Sequence, residues 1–262
     1  VDSAYCFPNR IEDIIALEAA IKDAQNASKA HYYLGCLYYD KRQYDVATEH
    51  WEKSREENPA FPTVWRNLAL AYFNKQHNAA KALECMEKAF ALDDTDARIY
   101  MELDQLYKRL GRPHAERLAL MQQHLDMVET REDLKLEYAT LLNLTGHYEE
   151  AKQFIDAHTF HVWEGGEGKV PAQYQLARTE LAKKLIYDYQ LSTNNYQLAE
   201  AISLLQECLE YPHHLGEGKL YGAQESDFYY FMGCAYDKMG DMAKARECWE
   251  EATKGTSRSE ER

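Results

Sequence analysis

Proline is scarce in this chain, and no two of its cysteines stand in a C-x2-C pair. With only 6 prolines in 262 residues, long helices are open to it, because an internal proline removes a backbone donor and clashes with the preceding turn. The cysteines are Cys6, Cys36, Cys85, Cys208, Cys234 and Cys248, a scatter that argues against a zinc ribbon and a dense disulfide framework. A run of about 18 apolar residues, long enough to cross a bilayer as a helix, is absent. So are clusters of lysine and arginine. The 30 basic residues are outweighed by 44 acidic ones, and the net charge of −14 argues against a nucleic-acid backbone as partner. That balance serves solubility, and it also suggests an acidic groove favouring a basic or neutral ligand. Neither H-E-x2-H nor G-x4-G-K-[ST] occurs, which removes the zinc-protease and phosphate-loop readings.

What is present is a signature that recurs at a nearly constant step. It reads Tyr33-Leu34-Gly35-Cys36-Leu37-Tyr38, then Ala47, Trp51 and Pro59, and it returns as Met232-Gly233-Cys234-Ala235-Tyr236, then Ala245 and Trp249. Small and large residues at fixed offsets let two short antiparallel helices pack closely. The small anchors are Ala47, Ala82, Glu116 (a poor match), Ala151, Ala201 and Ala245, with steps of 35, 34 and 35, then 50 and 44. Four residues beyond each stands a large apolar one: Trp51, Met86, Leu120, Ile155, Leu205 and Trp249. Gly111, Gly146 and Gly240 fall in the turns between paired helices. The third pair is degenerate, with Asp104 where glycine or alanine is usual.

This pattern resembles the tetratricopeptide (TPR) repeat, which implies an all-α, right-handed superhelical solenoid of about six helical hairpins. Residues 10–23 carry Ile11, Ile14, Ile15, Leu17 and Ile21 at helical spacing and register as the second helix of a preceding half-hairpin. The expected organisation is an N-terminal segment with this half-hairpin over 1–27, hairpins one to four over 28–160, and hairpins five and six with inserts over 161–255. A polar tail follows over 256–262. Residues 1–8 read as strand-like. An uncapped first helix and no initiator methionine suggest a piece of a longer polypeptide. Apart from Cys6, the cysteines sit at packing positions, as small hydrophobes do in a reducing compartment, so a cytoplasmic location is the expectation.

The two long steps hold inserts that echo one another. His161-Val162-Trp163-Glu164-Gly165-Gly166-Glu167-Gly168-Lys169 is followed 50 residues later by Gly216-Glu217-Gly218-Lys219. Helix stacking does not demand such turns. Trp163, Glu164, Glu167, Lys169, Glu217 and Lys219 are therefore candidate docking residues, with Trp163 as the large anchor. The alternative is that both loops fold back on their own hairpins, closing the lysines against Glu167 and Glu217. A metal set from His158, His161, His213, His214 and these glutamates lacks any recognised spacing. Glu167 and Glu217 could act as paired carboxylates only beside a sugar cleft that the sequence does not show. No catalytic residue, metal or cofactor is expected.

The GEGK loops, together with Cys6-Phe7-Pro8-Asn9, Trp65-Arg66-Asn67-Leu68-Ala69 and Glu102-Leu103-Asp104-Gln105-Leu106-Tyr107, are similar to the C-terminal TPR region of large bacterial proteins. Those proteins carry, ahead of the repeats, a domain like the galactose-mutarotase β-sandwich. The resemblance implies a parent that handles carbohydrate and repeats that dock on its sandwich. TPR geometry also implies which residues line the concave face: Tyr32, Cys36 and Tyr39, then Arg66, Leu70 and Phe73, then Met101 and Gln105. Tyrosine rings there suit an extended peptide or a sugar. A carboxylate clamp of the chaperone-tail type is disfavoured, because Glu102 falls in its pocket. The expected function is a non-catalytic interaction module for a protein or peptide, with neither nucleic acid nor membrane as partner. The alternative is an accessory part of a carbohydrate-active enzyme whose GEGK loops border the active site.

Overall fold

Local sequence sets where the helices start. Asn78 accepts from the Lys81 amide, Asp96 accepts from the amides of Arg98 and Ile99, and Pro62 opens its helix at the position where a missing N–H costs nothing. The computed structural model describes residues 8–23, 25–189 and 195–254, which hold fourteen α-helices and no strand. They divide into two compact units, Val1–Arg112 and Pro113–Arg262.

The first unit contains α1 (Ile11–Asp23), α2 (Ser28–Asp40), α3 (Tyr44–Glu57), α4 (Pro62–Asn74), α5 (Ala79–Leu92) and α6 (Ala97–Arg109). Helices α2 and α3 form one antiparallel hairpin and α4 and α5 the next, while α1 packs on α2 without burying a residue. The second unit contains α7 (His114–Gln123), the short α8 (Leu125–Val128), α9 (Glu132–Leu144), α10 (Tyr148–Ala157), α11 (Lys169–Tyr187), α12 (Tyr196–Glu207), α13 (Ser226–Met239) and α14 (Met242–Lys254). Here α9 pairs with α10, α11 with α12 and α13 with α14. Repeat spacing does not announce α8, which buries Met127 and Val128. The two helices of the third expected hairpin, α6 and α7, belong to one unit each. The strand-like reading of residues 1–7, Cys6, and the tail from residue 255 lie outside the described residues.

The hairpin interior follows from the anchors. Ala47, Ala82, Ala151, Ala201 and Ala245 are fully buried, and Glu116, the poor match, is exposed. Opposite Ala47, Gly35 lies under the Trp51 indole so closely that any Cβ would enter the ring, and Gly233 lies under Trp249 in the same way. Each indole nitrogen donates to the carbonyl three residues before that glycine, Trp51 to Tyr32 and Trp249 to Tyr230, both at 3.2 Å. Two expected turn glycines are matched by other residues in the first two hairpins: Arg42 (φ 61°) and His77 (φ 53°) take the left-handed conformation that Gly111, Gly146 and Gly240 take elsewhere. The thiols behave as core groups. Burial pushes Cys85 up to about 11 and Cys208 to about 12.

The α2–α3 seam is polar. Ser28 and Ser54 exchange hydrogen bonds, and the Nδ1 atoms of His31 and His50 meet at 2.9 Å, so at least one ring must stay neutral. Tyr38 stacks on His50, with Glu57 3.9 Å from His31 Nε2. Burial lowers the His31 pKa; burial, then His31 and Lys53, hold His50 at about 4. Because both folded-state values lie below the unfolded one, stability is full above about pH 6.5 and is lost as pH falls toward 4. The slope is at most about 1.4 kcal/mol per pH unit for one histidine and is reduced by the partial exposure of His50. Urea unfolding at pH 7 and pH 5 should therefore show the first unit weaker at pH 5, with His50→Gln removing most of the difference. An equal loss in that variant would exclude the histidine pair as its source.

Candidate functional site

In the first unit, the inner faces of α4 and α6 enclose a groove of about 270 Å³. Its floor is Ala69, Leu70, Phe73, Met86 and Leu106, and its rim is Asn74, Glu102, Gln105 and Arg109. Helical spacing produces this lining: Arg66, Leu70 and Phe73 share one face of α4, and Arg98, Glu102, Gln105 and Arg109 share one face of α6. The Arg66 guanidinium binds Glu102 through two nitrogens, Nε at 2.6 Å, and Arg98 Nε adds a contact at 3.5 Å. The Arg109 guanidinium sits 5.6 Å from the centre of the Phe73 ring. Two arginines therefore hold Glu102 at the edge of an apolar floor, while a third, Arg109, lies over Phe73. The charged residues that line this groove are one acid, Glu102, and one base, Arg109.

Of the residues expected on the inner face, Arg66, Leu70 and Phe73 come together here. Tyr32 does not join them. It is 9% exposed, with its ring 4.9 Å from Phe61 and 5.3 Å from Tyr33. Phe61 leads into the next hairpin and closes over it, so Tyr32 is a core residue, and burial raises its pKa. Tyr39 is half-buried against Tyr44 and Trp51, and Cys36 is half-buried beside the Asn67 amide at 3.7 Å. Met86 and Arg109 were not singled out from the sequence. Arg109 was legible as the next residue on the face of Arg98, Glu102 and Gln105; Met86 was not, since it is the ordinary large apolar residue of α5.

In the second unit the two GEGK loops lock onto each other. The Phe160 amide donates to the His214 carbonyl at 2.7 Å, and the Gly168 amide donates to both oxygens of Glu217 at 2.8 and 2.9 Å. Gly168 caps α11 in a left-handed conformation, so the Glu217 carboxylate sits at the amino end of a 19-residue helix, where its charge opposes the helix dipole favourably. Lys219 pairs with Glu225 at 2.5 Å, not with Glu167 or Glu217. Trp163 is half-buried: its indole covers Gly166 and packs on the cluster of Leu136, Ile155, Phe160, Val170, Tyr174 and Leu215. It anchors its own loop. Glu164, Glu167 and Lys169 are exposed and make no ion pair with a described residue. His158 bonds Glu129 at 2.8 Å and His161 lies 3.4 Å from Glu132. Among the described residues, no three His, Cys, Asp or Glu side chains converge as a metal set, and no helix is long and apolar enough to cross a membrane.

Comparison with known proteins decides the repeat family. Residues 28–61 and residues 226–254 each match the tetratricopeptide repeat, the two segments whose glycine–tryptophan packing is described above. The chain carries a TPR array. Among solved structures, the array is similar to the C-terminal part of a TPR repeat-containing protein from Cytophaga hutchinsonii, at 14% identity over 93% of each chain and a TM-score of 0.53. It also matches YrrB, described as a TPR protein with an unusual peptide-binding site, at 14% identity over 92% of each chain and a TM-score of 0.46. A third match is PilF from Pseudomonas aeruginosa, at 15% identity over 90% of the array and 87% of that chain, with a TM-score of 0.47. At these identities the likeness is one of fold.

Proposed function

We propose that the TPR array is a non-catalytic interaction module and that its first unit binds an extended peptide segment in the α4–α6 groove. The observation that carries this reading is the groove itself: an apolar floor for one side chain, with Arg109 and Glu102 on its rim and Arg66 and Arg98 bound to Glu102 beside it. Such a site fits a segment with a leucine-sized or aromatic residue flanked by aspartate or glutamate, each charge pairing with an arginine that is already held in place. Pre-ordering by Glu102 lowers the side-chain entropy lost on binding. The segment belongs to a protein or to another domain of a longer polypeptide, in keeping with the resemblance to repeats that follow a sandwich domain.

The test is a peptide selection from a random library on the immobilised chain. Enriched peptides should combine acids with one large apolar residue. Leu70→Glu should weaken a selected peptide at least about tenfold, the effect of putting an unpaired charge in an apolar pocket. Enrichment of basic peptides, or binding that Leu70→Glu leaves intact while the fold is preserved, would remove the groove from consideration.

A further inference from the structure

The α4–α6 groove does not end at Asn74. That residue also borders a second hollow, of about 470 Å³, between the turn that joins α2 to α3 and the last turn of α4. Its wall carries Arg42, Tyr44 and Asp45 from the first hairpin and Asn74 and Lys75 from the second. The groove has an apolar floor, whereas this hollow is lined mostly by polar and charged side chains. Local structure places its cations. Arg42 sits in the left-handed position of the α2–α3 turn. Tyr44 opens α3 and is held edge-on by Tyr39, their ring centres 4.9 Å apart. The Lys75 ammonium rests over the Tyr44 ring, 4.2 Å from its centre.

Arg42 and Lys75 are exposed, and neither makes an ion pair with a described residue. The neighbouring Lys41 differs, since Asp40 pairs with it at 2.8 Å. The one acid in the wall, Asp45, lies in the first turn of α3, where the positive end of the helix dipole already offsets its charge. Two uncompensated cations therefore face the hollow. Unpaired surface cations are ordinary by themselves. What points these toward a ligand is the shared wall, because a chain lying in the groove and continuing past Asn74 runs directly into them.

We infer that this hollow is a second subsite for the peptide bound in the α4–α6 groove, and that it takes an aspartate or glutamate of that peptide between Arg42 and Lys75. The inference rests on the groove reading above. A peptide whose apolar side chain is seated on Leu70 and Phe73 reaches the hollow after about three or four extended residues, at about 3.3 Å each. The Asn74 amide, at the shared wall, can bond the peptide backbone between the two seated side chains. Arg42 and Lys75 thus read an acid on one flank of the apolar residue only, the flank that passes Asn74.

The probe is the tightest peptide from the library selection on the full chain, with two synthetic variants in which the acids on one side or the other of its apolar residue are alanine. The chain is compared with its double variant Arg42→Gly and Lys75→Gln. Glycine suits the φ of 61° at residue 42, and glutamine keeps an aliphatic stem over Tyr44, so the fold is retained. At low salt, alanine on the flank that passes Asn74 should weaken binding to the wild-type chain about fivefold and to the double variant less than about twofold. Alanine on the other flank should weaken both chains alike. Equal sensitivity of the two chains to both peptide variants would overturn the inference. A peptide that Leu70→Glu releases but the double variant holds undiminished leaves the groove standing and removes only the second subsite. A peptide indifferent to Leu70→Glu removes the groove itself, and the subsite with it.

Discussion

Gly216→Ala is expected to destabilise the second unit by on the order of 3 kcal/mol, several times the cost of the same change at Gly111 or Gly218. Two penalties coincide. Gly216 has φ +79°, where an L-residue is worse than glycine by about 1 kcal/mol. A Cβ at this position would also overlap the carbonyl oxygen and carbon of Phe160. That partner is backbone and cannot rotate away. Nor can it shift as a body, because the Phe160 amide is tied to His214 and its ring is 2% exposed in the core. Gly111→Ala isolates the first penalty, since its φ is +74° and nothing lies within 4 Å; it should cost about 1 kcal/mol. Gly218→Ala, in the same GEGK run but with open space around it, should be neutral to within about 0.5 kcal/mol. Urea unfolding of the three variants reads the order directly. Equal losses for Gly216→Ala and Gly111→Ala would mean that the loop contact contributes nothing.

That contrast shows what the sequence could and could not reveal. Gly166–Lys169 and Gly216–Lys219 read as two copies of one motif, yet they are unlike halves of one joint. The first copy contains, in Gly168, the residue that caps α11. The second runs to an open turn and lends its glutamate to the first. Identical letters gave no hint of the asymmetry, because it comes from a contact between residues about 50 apart, not from local backbone preference. The hairpins were legible for the opposite reason. Their packing joins residues at fixed short offsets, such as Gly35 with Trp51, so periodicity alone places Ala47, Ala82, Ala151, Ala201 and Ala245 in the core. The groove lay between these cases. Leu70 and Phe73 were found from their helical face, whereas the withdrawal of Tyr32 depends on Phe61, a loop residue that repeat spacing does not assign. The pairing of Glu102 with Arg66 and Arg98 was hidden by the overall charge of −14, which says nothing about where the acids are placed.

Arg178→Met should lower the stability of the second unit by about 2–4 kcal/mol at pH 7, even though methionine fills much of the same volume. Arg178 is 3% exposed at the centre of α11. Its Nε donates to Glu207 of α12 at 2.7 Å, a second nitrogen donates to Asp156 of α10 at 2.6 Å, and its guanidinium carbon lies 3.5 Å from the centre of the Tyr174 ring. One cation thus holds three helices, and its removal leaves Asp156 to Lys152 alone and takes from Glu207 its bond to a cation. The loss stays below that of a fully buried pair because both carboxylates reach solvent, at 31% and 37% exposure of their side chains. The effect also has a pH signature. Burial alone would raise the Asp156 pKa, but Lys152 and Arg178 outweigh it and hold the group below the usual carboxylate range. A depressed folded-state value stabilises above the unfolded pKa of about 3.9 and ceases to do so as pH falls through the folded value. The gap between wild type and Arg178→Met should therefore be widest near neutrality and shrink below about pH 4, where protonated acids no longer need the guanidinium. Arg178→Lys, which keeps the charge but offers no planar fork, should fall between the two. A gap that persists unchanged to pH 3, or a methionine variant as stable as wild type, would show that packing on Tyr174 rather than ion pairing secures α11, and with it the capped end that Glu217 holds.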